Sequence, residues 1–418
     1  MTIYSRADFV NVLKASSLAL KKRFRIIAAM FYMNSRARRR THYETRRKPK
    51  NYHRNRGYAL EEFDRLSDAV FLKMFRIDRE SFALLEQNLD PVLKKNETKA
   101  KASSGSVIST RTRLAVTLRW LAGGLYLDLC FAWGISKTSF FSERGVLWPT
   151  ITAIDTVFQL GFPLSDHYAL DQLAAGFYTH SDGVLNGCVM AIDGLAVRVR
   201  QPFKSEVSNV KAWRCRKGGF AMVVMAGCDV NGRFHMATAN HSGSTNDIIV
   251  WENSQLAREI ESGKLADKYF IIGDEAFTCT QQVLSPWPGR GIGLWKDSFN
   301  YWLSHSRQVI ERAFGMLTMR WGIFWRKFTF AYERWSLVTM VCMKLHNFCM
   351  DRNSNFPQYR ATEDHVPGDR WVVYDNNDPI EDAQMRARAR GDRRSKITDK
   401  LMHDGLGRPI HAQPNARA

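Results

Sequence analysis

Between residues 187 and 277 the hydrophobic pattern follows one order that limits the fold class. "GCVMAIDGLAVRVR" (187–200) begins as an unbroken apolar run and then alternates, as a strand does. "FAMVVMAGCDVNGRFHMATAN" (220–240) reads as two strands around Asp229-Val230-Asn231-Gly232, a hairpin turn signal. "STNDIIVWENSQLAREIESG" (244–263) opens on cap-type residues, runs with helical spacing and stops at a glycine. "KYFIIGDEAF" (268–277) returns to a strand. Strand, hairpin, helix, strand is an α/β order.

Three acids in this frame sit where an acid is costly. Asp193 interrupts the apolar run of the first strand, and Asp274 ends the fourth. Glu311, in "HSRQVIERAFGMLTMRWGIFW", lies beside a helical stripe of Ile310, Phe314, Leu317, Trp321 and Phe324. Its own face carries Arg307 four residues before it and Gly315 four after. Glycine inside a helix costs roughly 0.5–1 kcal/mol, so close approach of a backbone or ligand is expected at Gly315. Each acid has a plain alternative: Asp193 with Gly194 starts a turn, Asp274 caps the next segment, Glu311 pairs with Arg307. Together they fall on neighbouring parts of one sheet edge. Two carboxylates ~4 Å apart repel by about 4 kcal/mol at an effective dielectric near 20. Hard divalent cations remove that penalty, and Mg²⁺ in particular binds through a few carboxylates plus water or phosphate oxygens. Two such ions serve phosphodiester chemistry by acting on both the attacking and the leaving oxygen.

The charge of the chain points to the same substrate class. The net charge is +20, and residues 1–60 hold sixteen Lys/Arg against Asp8 and Glu44. The densest part, "RARRRTHYETRRKPKNYHRNR" (36–56), includes Arg38, Arg39, Arg40, Arg46, Arg47 and Lys48 with Tyr43 and Tyr52 interleaved. It reads as an arm for a polyphosphate and as a nuclear-import address, or as a solvated basic tail. A second basic stretch, "MRARARGDRRSK" (385–396), lies in the polar C-terminal region, which also holds a short helical pattern near "SKITDKLMHDG". The seven cysteines show no C-x-x-C spacing and read as reduced, mostly buried residues. The most apolar candidate for a membrane span, around 114–134, carries Arg119 and Asp128 and reads as packed helices.

Four regions are expected: a basic arm (1–60), a helical region (61–180), the α/β region (181–350) and a polar, partly disordered tail (351–418). Within the second, Asp78 is an expected N-cap before "RESFALL". Residues 110–154 suggest three helices broken at Gly123-Gly124 and Gly134-Ile135-Ser136. The second break has the layout of a helix-turn-helix with Ser136 as N-cap and Lys137, Thr138 and Arg144 available to DNA. An ordinary helical hairpin accounts for the same spacing.

"AIDG", "NDIIVWENS", "FIIGDEAF", "HSRQVIERAFGMLTMRWGIF" and "LVTMVCMKLHNFC" occur in the order seen in PIF/Harbinger-type transposases and related DDE endonucleases. "FLKMFRIDRESFALL" and "RLAVTLRWLAGGLYLDLCFAWGISKTSF" also resemble the helical N-terminal region of that family, so the likeness covers roughly residues 60–350. It implies an RNase H-like catalytic domain, a mixed sheet flanked by helices, whose acidic triad falls on Asp193, Asp274 and Glu311. Those three are the implied catalytic residues and the implied ligands of Mg²⁺ or Mn²⁺, two ions in all. Asp247 matches an acid at the helix start, where an N-cap role competes with a supporting one. Arg307 is a candidate partner of phosphate or of Glu311, and His305 and His346 read as structural. Glu275 and Leu195 depart from the usual family pattern, which has a small or hydroxyl residue and a polar residue there.

The resulting expectation is a metal-dependent DDE endonuclease or transposase. It cleaves DNA phosphodiester bonds and joins 3′-hydroxyl ends to target DNA in the nucleus. The expected partners are double-stranded DNA, a Myb-like element-encoded DNA-binding protein and further copies of the chain, with no membrane. The competing expectations are a domesticated DNA- or chromatin-binding derivative and a purely hydrolytic nuclease.

Overall fold

The structure is a computed structural model, and it describes residues 56–94, 108–216, 218–289, 291–352 and 393–409. The basic-arm residues Arg38, Arg39, Arg40, Arg46, Arg47 and Lys48 lie outside the described residues. So do residues 95–107.

Among the described residues, eight helices precede the first strand: α1 (Arg56–Arg65), α2 (Asp68–Phe75), α3 (Arg79–Leu93), α4 (Thr110–Leu121), α5 (Tyr126–Ala132), α6 (Lys137–Phe141), α7 (Leu147–Val157) and α8 (His167–His180). Their starts follow local chemistry. Asp78 accepts the Ser81 amide at 2.7 Å and caps α3, and Ser136 accepts the Ser139 amide at 2.9 Å and caps α6. Phe63, Phe71, Phe75 and Phe82 pack ring against ring at centroid distances of 4.8–6.4 Å, joining α1, α2 and α3 into one apolar cluster. Residues 110–154 form four helices rather than the three read from the sequence. Backbone at Ser142 turns extended and ends α6 after five residues, so α7 starts anew. Lys137, Thr138 and Arg144 are exposed around this short helix.

The strands are β1 (Cys188–Val199), β2 (Phe220–Cys228), β3 (Phe234–Ser242), β4 (Phe270–Ile272) and β5 (Val283–Leu284), in the order β3-β2-β1-β4-β5. β1, β2 and β3 pair antiparallel, while β4 joins β1 and β5 in parallel. α9 (Asp247–Glu252) and α10 (Gln255–Glu261) lie between β3 and β4 in sequence, and α11 (Leu294–Arg320) and α12 (Trp335–Asp351) follow β5. This five-stranded mixed sheet with flanking helices is the RNase H-like arrangement, with the helical region N-terminal to it. The described residues from Gly57 onward belong to one compact unit.

Three boundaries differ from the sequence reading. The helix at 244–263 is two helices, because Ser254 accepts the Ala257 amide at 3.1 Å and caps a new start. β4 is only three residues long and ends before Gly273. The long helix begins at Leu294, upstream of the "HSRQVIERAF" segment singled out in the sequence: Phe299, Trp302 and Leu303 are buried and extend the stripe of Ile310, Phe314 and Leu317. The glycines at 291 and 293 made that start look like loop.

"LHN" in α12 clamps the sheet edge. Asn347 donates to the Phe234 carbonyl at 2.7 Å and accepts the Phe234 amide at 2.9 Å, while His346 Nε2 lies 3.0 Å from the Gly232 carbonyl. Burial lowers the His346 pKa to about 4, against that bond, which acts to raise it, in keeping with a structural role. The C-terminal pattern near 395–405 is helix α13 (Arg393–Asp404). Arg394 is buried, with its guanidinium 3.9 Å above the Trp287 ring and bonds to the Ser285 and Pro286 carbonyls. Arg393 donates to the Tyr269 carbonyl at 2.6 Å. Two arginines of the second basic stretch thus bind the protein itself.

Candidate active site

Strand alternation decides which way each acid points. Ile192 belongs to the buried cluster shared with Leu170, Ala174, Val250 and Trp251 of α8 and α9. Successive residues of a strand face opposite sides, so Asp193 points to the other face, where α11 packs. There Arg307 Nη1 lies 2.9 Å from Asp193 Oδ2, and Arg307 Nη2 lies 2.6 Å from Glu311 Oε1. One guanidinium therefore joins an acid of the central strand to an acid one helical turn further along α11. The sequence singled out all three residues, but only the packing of α11 on β1 makes this bridge.

Asp274 arrives by register. Ala191 stands opposite Ile272, which sets Asp193 level with Asp274 just where β4 has ended. The chain turns there: the Ala276 amide donates to Asp274 Oδ1 at 3.0 Å, and the Phe277 amide to the Asp274 carbonyl at 3.2 Å. Strand geometry stops before this acid pair, so the turn sets the side-chain directions; Asp274 is partly buried and Glu275 is exposed.

Burial raises the Asp193 carboxyl to about 7, opposed by Arg307 and reinforced by the charge of Asp274. Asp274 is also raised by burial, against Arg307, with Glu275 and Glu311 adding to the rise. These acids feel one another and share a single neighbouring guanidinium.

Asp247 reaches the same neighbourhood from the other face. It is not the N-cap of α9; Asn246 holds that position and makes no side-chain cap bond. A Cβ built on Gly194 meets the Asp247 carboxylate at 2.3–2.7 Å, so the absence of a side chain at 194 is what lets Asp247 lie against β1. Burial raises Asp247 to about 6, with Asp274 adding to the rise and Arg216 opposing it. The sequence signal for this contact was the glycine directly after the first acid.

Gly315 behaves differently. Its Cβ position is open, with nothing within 4 Å, so the close approach of another backbone expected there is not found. His305 stacks on His180 at 4.7 Å and takes no part in the acid group.

The donor chemistry fits hard divalent cations: carboxylate oxygens, desolvated and mutually repelling, with no soft ligand among the acids. The spacing is that of acids drawn to an arginine. Among the described residues, no three His, Cys, Asp or Glu side chains stand close enough to hold an ion as they are. Among those residues, too, no helix is long and apolar enough to cross a membrane.

Residues 192–347 match the family model described as DDE superfamily endonuclease. The match opens one residue before Asp193 and closes on Asn347 of the hairpin clamp. The chain is 25% identical over 301 residues to "Protein ALP1-like" of Arabidopsis thaliana, covering 68% of this chain and 71% of that protein. No solved structure matches the chain. The matched span takes in β1 from Ile192 onward, Asp274, Glu311 on α11 and the closing clamp, so the segment from 192 to 347 is similar to DDE superfamily endonucleases.

Proposed function

We propose that the protein is a metal-dependent DNA endonuclease of transposase type, with Asp193, Asp274 and Glu311 as its catalytic acids. The observation that carries this reading is the meeting of Asp193 and Glu311 on one guanidinium, beside Asp274, inside a segment similar to DDE endonucleases. DDE endonucleases generally use divalent metals, and the three acids would hold Mg²⁺ or Mn²⁺, most simply two ions. When bound, the ions supply Lewis-acid activation of the attacking oxygen and charge stabilisation at the leaving one. The protein's own part is positional: β1 holds Asp193 in a dry strand, the turn after β4 holds Asp274, and α11 brings Glu311 across. Water attacking a phosphodiester breaks its P–O3′ bond and leaves a 3′-hydroxyl and a 5′-phosphate. That hydroxyl attacking a target phosphodiester forms the joining bond while the target strand's own 3′-oxygen leaves as a hydroxyl. Asp247 supports the site from the far face of β1.

The basic arm and the helical region around Lys137, Thr138 and Arg144 hold DNA in this reading. The arm's charge favours nuclear import and counterion-releasing phosphate contact. A Myb-like partner for end recognition and assembly into a homo-oligomer complete the proposal. A second reading, a transposase-derived DNA-binding protein that no longer cuts, draws support from the arginine-closed arrangement of the acids. Oligonucleotide cleavage with Mg²⁺ or Mn²⁺ tests both. Wild type is expected to cut and Asp193→Asn to fall by roughly 10²–10³-fold or more. Equal cutting by the two removes the triad assignment, and joined ends among the products separate transposition from hydrolysis alone.

A further inference from the structure

We infer that Arg307 is a built-in stand-in for the metal: it holds the acids while no cation is bound and must leave Asp193 and Glu311 when one is. This rests on the proposal that these acids hold divalent cations.

Three observations support it. The first is geometric. A guanidinium presents two parallel N–H edges, and Arg307 spends them on acids from two different elements, at 2.9 and 2.6 Å. An arginine that merely stabilised α11 would need only its i,i+4 partner Glu311; the reach to Asp193 crosses from helix to sheet. The second is burial. The Arg307 side chain is 19% exposed and that of Asp193 is 7% exposed, so the contact is largely out of water and cannot be a solvent-screened surface pair. The third is the spacing already described. The acids have the chemistry of a cation site without its geometry, as expected where another cation draws the oxygens to itself. Arg307 also acts on Asp274, the remaining acid of the triad.

The consequence is competition for the same oxygens. A divalent ion entering between Asp193 and Glu311 displaces two charge-assisted hydrogen bonds and frees a guanidinium beside the site. A freed, planar guanidinium at that position matches a phosphate oxygen pair. Arg307 is thus a positioning residue in two states, bound to carboxylates without metal and turned toward the DNA backbone with it.

The test is Mn²⁺ binding to the full-length protein, read by electron paramagnetic resonance of free Mn²⁺ and by thermal shift, with no DNA present. Arg307→Gln is expected to bind Mn²⁺ on the order of tenfold more tightly than wild type, because a competing positive charge is gone. Its metal-free melting temperature is expected to fall below wild type at pH 8 and to recover on Mn²⁺ addition. Arg307→Lys keeps the charge without the fork and is expected between the two, and it carries the test if the glutamine variant does not fold. Mn²⁺ binding by Arg307→Gln that is equal to or weaker than wild type overturns the inference and makes Arg307 a structural brace. Wild type that binds no Mn²⁺ overturns the metal reading itself, and the inference with it.

Discussion

Asp193 on β1 and Asp229 just after β2, at the start of the hairpin turn, are two buried aspartates, and their carboxyls move in opposite directions. Burial pushes both up. At Asp229 the push is outweighed by His235, whose Nε2 lies 3.3 Å from Oδ2, and by the amides of Arg233 and Asn231 at 3.0 and 2.9 Å, so the net shift is downward. At Asp193 the compensation is one neighbouring amide and Arg307, with Asp274 working against it, and the carboxyl rises to about 7. The charge of Asp229 is solvated by its own loop, so it serves the fold. Asp193 is left short of partners, so it has capacity to spare for a cation or substrate.

The largest effect that can break this contrast is on catalysis: Asp193→Asn abolishing cleavage while Asp229→Asn, where folded, still cuts. The next is on stability. Asp229→Ala strands the Asn231 and Arg233 amides and the His235 ring, and should cost about 2–3 kcal/mol in a urea melt. A loss below about 0.5 kcal/mol would place Asp229 with ordinary surface residues.

A smaller effect has opposite signs at the two sites. The folded Asp193 carboxyl titrates near 7, above its unfolded value, so between about pH 4 and 7 the folded state binds the extra proton. Metal-free stability therefore falls as pH rises through that window, by an amount on the order of 4 kcal/mol. Asp193→Asn should flatten this slope in melting temperatures taken from pH 4 to 8. Asp229 is lowered, so its contribution is present at neutral pH and is lost only as pH falls through its depressed folded value. The smallest expected effect is at Gly315, whose open Cβ position lets Gly315→Ala stabilise the fold by about 0.5–1 kcal/mol. If that stabilised variant stops cutting, the space beside Glu311 is used by DNA.

Much of the frame was legible in residue order. The central strand, the Asp229–Gly232 hairpin, the caps at Asp78 and Ser136 and the apolar stripe of α11 are local signals, because short-range hydrogen bonds and hydrophobic period set them. The acids were legible too, since a carboxylate in an apolar run is conspicuous. The early start of α11 was not: two glycines beside it imitate loop, and only burial of Phe299 and Trp302 reveals the helix.

Contacts between distant segments could not be read at all. "LHN" shows a helix with polar residues, but that it closes the hairpin depends on α12 lying along β3. The basic tail shows charge, but that Arg394 is buried on Trp287 depends on α13 docking there. The period-two and period-3.6 patterns, the turn at 229–232 and the supply of acids are properties of neighbours in the chain, and the amino-acid order specifies them directly. The bridge of Arg307 across Asp193 and Glu311, and the seat of Asp247 on Gly194, join residues up to 114 positions apart. Those were decided only when α11 and α9 packed on opposite faces of one strand, where low dielectric gives such contacts their strength.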